Sequence, residues 1–247
     1  MRFSYLSFLI FISIFSYGQI NGQVKTLRLK PFKIHTLSDT LKETSGLTLV
    51  DDRLFSFNDS GNSSDIFEIK KDTPNIKKVF KTQLINIDWE AITFSDNHFY
   101  IGDFGNNLGT RKDLSIYKIP FQNDNLVLDS IQRIYFSYGA QTDFTPRNIT
   151  HDFDAEAMIM HNGLINVFSK EWKSKKISRY TIDPNNPNHQ ILKSLEDYDV
   201  GYSVTDATYH EGKLYTVGYN KKTEVFMTIF REDNEGLFFK QPAKKFF

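Results

Sequence analysis

Asp88-Trp-Glu-Ala-Ile92 and three segments on the same plan, Glu43-Thr-Ser-Gly-Leu47, Asp154-Ala-Glu-Ala-Met158 and Val204-Thr-Asp-Ala-Thr208, decide the fold. Each is an acidic or polar pair bracketing one residue, followed by a small residue and usually an apolar one. Behind every start come a turn and a second short run: Asp51-Asp52 before 54–57, Asp96-Asn97 before 98–101, Asn162-Gly163 before 164–168, and Glu211-Gly212 before 214–217. Such turns between apolar runs are hairpin signals, Asn-Gly being the strongest. A third run follows in each unit, at 66–69, 116–119, 178–182 and 225–229, mostly alternating apolar with polar at period two. Fourth, more polar strands fit 77–80 and 131–136.

The unit is thus a short antiparallel meander, and its return at 43, 88, 154 and 204 predicts an all-β chain, a β-propeller of four-stranded antiparallel blades with four repeats visible. A β-sandwich could use the same hairpins, but it has no need for one internal order to recur. The alternating segment 24–37 is expected to add an outer strand that closes the ring against the last blade. Five or six blades would want more residues, so the chain reads either as a small propeller with one degenerate blade or as a truncated copy.

Residues 1–19 carry one early charge at Arg2, an apolar run over 6–15 and the small-residue exit Ser16-Tyr17-Gly18, the anatomy of a secretory signal peptide. That run is too short for a membrane span, and no later stretch approaches the roughly 20 apolar residues a span needs. One propeller domain over 24–247 is therefore expected, secreted, periplasmic or at the cell surface. No Cys is present, which excludes lipid attachment through an N-terminal Cys and any disulfide scaffold. Thirty basic and thirty acidic side chains cancel without a basic stripe, so nucleic acid is not an expected partner. The expected partner is a small molecule, glycan or protein at the channel mouth, met by a monomer.

In a propeller the innermost strand of each blade runs along the channel and the second returns beside it, so the start of one and the end of the other share a mouth. The starts supply Glu43, Asp88, Glu90, Asp154, Glu156 and Asp206. The ends supply Asp59, Asp103, Lys170 and Tyr219, and Ser45 to Asp59, Glu90 to Asp103, Glu156 to Lys170 and Asp206 to Tyr219 are each 13 or 14 positions apart. Carboxylates gathered this way raise each other's pKa unless a cation intervenes. Oxygen ligands, no Cys, and His35, His98, His151, His161, His189 and His210 without metal-site spacing favour Ca²⁺ or Mg²⁺ over zinc. Lys170 is the other counter-charge, or a holder of an anionic substrate.

A plainer reading stands beside this one. Asp59 in Asp59-Ser-Gly-Asn62 and Asp103 in Asp103-Phe-Gly-Asn106 are good turn formers whose carboxylates can simply accept backbone N–H groups. Glu90 and Glu156 have no turn role before a small residue and are read as channel-facing. Trp89 and Trp172 are read as packing residues, although Trp172 follows Lys170 closely enough to line the same mouth. The Asn-x-Ser/Thr sites at Asn58, Asn62 and Asn148 are treated as coincidental. Residues 139–151 form the longest loop, a candidate lid or rim element. Nucleophile-elbow, zinc-peptidase, phosphate-loop and dinucleotide motifs are absent, so no nucleotide or organic cofactor is expected.

On Glu43-Thr-Ser-Gly-Leu, Asn58-Asp-Ser-Gly-Asn, Asp88-Trp-Glu-Ala-Ile, Gly102-Asp-Phe-Gly-Asn-Asn and Asp154-Ala-Glu-Ala, the chain resembles an uncharacterised family of exported bacterial β-propeller proteins, over about residues 42–247. Members carry a further blade with a Glu-Gly-Ile-like start, which is not found here; the resemblance implies five or six blades in the complete family. More distantly the repeat resembles esterase-like-phytase and gluconolactonase propellers, which implies a channel Ca²⁺ and hydrolysis of phosphate esters or lactones. A phytase would show several basic residues for phosphate, and only Lys170 is well placed.

Two functions follow as expectations. The first is a ligand- or partner-binding module with an acidic, Ca²⁺-binding mouth. The alternative is a Ca²⁺-dependent hydrolase of phosphate esters or lactones, with Glu90, Glu156 and Lys170 as candidate catalytic groups and Glu43, Asp59, Asp88, Glu90, Asp103, Asp154, Glu156 and Asp206 as candidate ligands.

Overall fold

The computed structural model describes residues 25–28 and 30–247; the expected signal peptide, 1–19, lies outside them. The first sheet runs β1 (Thr44–Val50), β2 (Arg53–Asn58), β3 (Asp65–Ile69), β4 (Ile76–Lys81). The second holds β5 (Trp89–Ser95), β6 (His98–Asp103), β7 (Ser115–Gln122) and β9 (Gln132–Tyr138), with the short β8 (Asn125–Leu126) folded back on β7. The third is built from β10 (Ala155–His161), β11 (Leu164–Ser169), β12 (Ile177–Ile182) and β14 (Glu196–Tyr198), while β13 (Gln190–Leu192) leaves it to pair in parallel with β9 of the second. The fourth is β15 (Ser203–His210), β16 (Lys213–Tyr219), β17 (Val225–Arg231) and β18 (Lys244–Phe246). Within each blade neighbouring strands are antiparallel, as the meander reading requires.

The four hairpin turns owe their tightness to residues that accept a left-handed backbone. Both central residues have positive φ at Asp51-Asp52 (44° and 66°), Asp96-Asn97 (48° and 58°), Asn162-Gly163 (51° and 74°) and Glu211-Gly212 (47° and 71°). This sign pattern matches the right-handed twist of the flanking strands.

The inner strands β1, β5, β10 and β15 pack in that order, β1 on β5, β5 on β10 and β10 on β15, giving a four-bladed β-propeller. Three apolar layers hold the blades together. Phe55, Phe57, Trp89 and Phe99 lie between the first two blades; Tyr100, Phe136, Met158 and Val167 between the second and third; Ile159, Phe168, Leu214 and Phe230 between the third and fourth. Each such side chain contributes about 1.5–3 kcal/mol on leaving water. Trp89 is fully buried, edge-on to Phe57 at 5.5 Å, which assigns it to packing.

β15 and β1 lack the close packing that joins the other three pairs of inner strands. Leu47 and Leu49 of β1, and Val217 and Tyr219 of β16, accordingly stay exposed. The segment expected to close the ring does add backbone at the outer edge of the last blade: Lys25 and Leu27 N–H groups donate to Lys245 and Phe247 carbonyls, and Phe247 N–H donates to the Lys25 carbonyl. Beyond Leu27 it forms one 3-10 turn, Lys30–Phe32, and no further strand among the described residues. Among those residues no helix is long and apolar enough to cross a membrane.

Candidate functional site at the channel mouth

Every inner strand carries a register shift near its start. The residue left without a partner is Gly46 in β1, Glu90 in β5, Glu156 in β10 and Thr205 in β15. Such a bulge inserts one residue opposite none, twists the strand and re-aims the side chain it carries. Glu90 and Glu156 therefore sit where β-alternation would not place them. Asp206 falls one residue past its bulge, paired with Val217, so it shares that residue's face instead of Glu90's setting.

A second slip of one residue concerns the strand ends. The N–H groups of Asp59, Gly105 and Lys170 donate to the carbonyls of Glu43, Asp88 and Asp154 at 2.9, 3.1 and 2.8 Å, which makes these three equivalent. In the second blade Gly105 takes the mouth position, and Asp103, which pairs with Trp89 as Asn58 pairs with Thr44 and Ser169 with Ala155, stands one register place short of Asp59 and Lys170. A one-residue offset turns a side chain to the other face, and Asp103 is fully buried against Arg111 (3.1 Å) and Arg133 (3.4 Å), while accepting from the Asp88 N–H.

Among the described residues, carboxylate oxygens of Asp59, Asp88 and Glu90 come within 4.8 Å of one another. Gly105 makes this approach possible. A Cβ there would collide with Asp88 Oδ2 and Glu90 Oε1, so the missing side chain is the space the acids occupy. Gly105→Ala is expected to cost about 1–3 kcal/mol, the usual penalty of forced overpacking, read from the midpoint of urea unfolding; an unchanged midpoint would mean that the acids move aside freely.

Glu90 is only 5 % exposed, and among the described residues its carboxylate receives one weak hydrogen bond, from Ser45 Oγ at 3.4 Å. Burial first, then the charges of Asp59 and Asp88, push its pKa up to about 9. Asp88 rises to about 6, again from burial and then from Asp59. Two cations act on the cluster: Arg111, paired with Asp103 and Asp113, on Asp88, and Lys170 on Glu90; Lys170 is paired with Glu156 and lies 4.2 Å from the Trp172 ring centre. Burial lowers its pKa, against the charges of Asp154, Glu90 and Asp59.

The other predicted residues are spent differently. Asp154 is fully buried and accepts from Asn106 N–H (2.7 Å), Ala155 N–H (3.0 Å) and Trp172 Nε1 (2.7 Å). Glu43 accepts from Asn62 at the surface (3.2 Å), and Asp206 from the Ala207 N–H (2.7 Å), with burial raising its pKa to about 6. The structure thus gathers Asp59, Asp88 and Glu90, sets Lys170 and Glu156 beside them, and leaves Asp103 and Asp154 as buried tie points. Reasoning from sequence missed Gly105, whose only signal was its place two residues after Asp103.

Comparison with known proteins extends to fold alone. No family model matches the chain, and no curated protein sequence does. Solved structures that resemble it are propeller-type proteins. They include a protein of Bacteroides uniformis described as a candidate 6-phosphogluconolactonase (13 % identity, 86 % of this chain and 58 % of that one, TM-score 0.44). Others are a protein from Lactobacillus plantarum (12 %, 84 % and 57 %, 0.46) and an α-L-arabinofuranosidase from Clostridium thermocellum (14 %, 81 % and 72 %, 0.47). The chain spans little more than half the length of the first of these. Its class is that of the β-propellers.

Proposed function

We propose that this chain is an exported β-propeller that binds a small molecule, glycan or protein at its channel mouth, with a Ca²⁺ ion held by Asp59, Asp88 and Glu90. The observation that carries the reading is the approach of three carboxylates over Gly105 with Lys170 already committed to Glu156. Hard oxygen donors suit Ca²⁺, and an ion bound there would neutralise the cluster and offer remaining coordination positions to ligand oxygens. Asp59 and Asp88 come from different blades, so the ion would also tie the first blade to the second.

Calorimetric titration of the mature, chelator-stripped protein with Ca²⁺ and with Mg²⁺ tests this. Micromolar Ca²⁺ binding, lost in Asp59→Asn, supports it; a folded protein that takes up no divalent ion overturns it. One observation favours hydrolysis instead. With a pKa near 9, Glu90 keeps its proton at neutral pH and could serve as a general acid beside the Lys170–Glu156 pair. That role competes with the cation for Glu90. It requires turnover on an ester, lactone or phosphate-ester panel that Glu90→Gln abolishes while the fold stays intact.

A further inference from the structure

Beside the carboxylate cluster, three chain segments enclose a cavity of about 150 Å³: the end of the 139–151 loop with Thr150, the turn after β11 with Trp172 and Lys175, and the fourth blade with Ser203, Tyr219 and Lys221. Its chemistry is opposite to that of the acids. Lys175 Nζ donates to Ser203 Oγ at 2.8 Å and lies 5.2 Å from the Trp172 ring centre. Among the described residues neither Lys175 nor Lys221 has a carboxylate within ion-pair distance. Two amines in one cavity, with Asp152 acting on Lys175 only from beyond ion-pair distance, define an electropositive pocket that a ligand anion would complete.

The rest of the wall limits what the anion belongs to. Trp172 and Tyr219 supply flat apolar surface, and Lys170 Nζ, 4.2 Å from the Trp172 ring centre and 5.6 Å from that of Tyr219, connects the pocket to Glu156 and the acidic cluster. The volume falls below the roughly 300–1,000 Å³ of a whole-ligand pocket, so it takes one charged group of a molecule that extends beyond it. Ile149, a β-branched residue held at φ 47° by its N–H bond to Asn107 O, stiffens the wall on the loop side.

We propose that this cavity is an anion subsite, in which Lys175, Lys221 and Ser203 hold the carboxylate or phosphate of a small acidic sugar while Tyr219 packs against its ring. The subsite rests on reading the mouth as ligand-binding, but not on the cation. Burial first and then the Lys221 charge lower the Lys175 pKa, against the more distant Asp152 carboxylate, a balance that a bound anion would shift back.

The test is calorimetric titration of the full mature chain, with and without Ca²⁺, using glucuronate, glucose 6-phosphate and glucose. Expected is binding of at least one acidic sugar and none of glucose, weakened tenfold or more in Lys175→Gln and in the exposed Lys221→Gln, and weakened by added salt. The tighter of the two acids identifies the anion as carboxylate or phosphate. Acidic-sugar binding that survives chelation keeps the subsite even where no Ca²⁺ binds, so the two readings fail separately. Equal affinity for glucose and the acids, no binding of either acid, or unchanged affinity in a folded Lys221→Gln would overturn the subsite.

Discussion

Calcium at about a hundred times its dissociation constant should raise the melting temperature of the chelator-stripped protein by roughly 5–10 °C. An ion that binds only the folded state at that excess contributes about 2.7 kcal/mol, and a domain of this size gains roughly 2–4 °C per kcal/mol. The pH dependence follows from the direction of the shifts. Asp88 and Glu90 have folded-state pKa values above the ordinary carboxylate range, about 6 and about 9. Their protonated forms favour the fold, so in metal-free protein their contribution is complete below about pH 4. It is lost as pH rises through 6 and on towards 9. Calcium must displace those protons, so its affinity and the melting shift should both grow across the same interval. Glu90→Gln keeps the shape and removes the titration. In that variant the loss of stability with rising pH should shrink and the calcium shift should disappear; an undiminished calcium shift would remove Glu90 from the site.

The second large effect is expected at Asp154. Its Oδ1 takes the N–H groups of Asn106 and Ala155, and its Oδ2 takes the indole N–H of Trp172, so one buried carboxylate joins the second blade's loop to the third blade and orients a wall of the mouth. Asp154→Ala strands three donors, and removing one partner of such a buried charged network typically costs about 3–5 kcal/mol. Asp154→Asn can keep Oδ1 as acceptor but turns an amide NH₂ towards the Trp172 N–H, and should cost less, about 1–3 kcal/mol. Urea unfolding of the two variants checks the order. A cost below about 1 kcal/mol for Asp154→Ala would mean that the hub does not hold the blades.

Several features were legible along the chain because they depend on neighbours in sequence. Asp51-Asp52, Asp96-Asn97, Asn162-Gly163 and Glu211-Gly212 name their turns through the backbone conformations these residues tolerate, and the alternation along β9, with Ile134, Phe136 and Tyr138 buried and Tyr135 exposed, marks a pleated surface with two unlike faces. The recurrence of the unit then made radial repetition the simplest way to bury one face of each blade on the next.

By itself, then, the sequence determined the meander, its four repeats and the end of the sheet at which acids collect. Tertiary structure alone decided which acids meet. A bulge and a one-residue offset are nearly invisible in spacing, yet each reverses the face on which a side chain stands. Thus Glu90 enters the mouth while Asp103, so similar in position along the chain, turns to Arg111 and Arg133. Gly105 matters for the side chain it lacks, and Lys175 meets Lys221 only because the third and fourth blades are adjacent. Local conformation is written in short stretches of residues, whereas convergence, counter-charge and empty space arise when distant stretches are packed together.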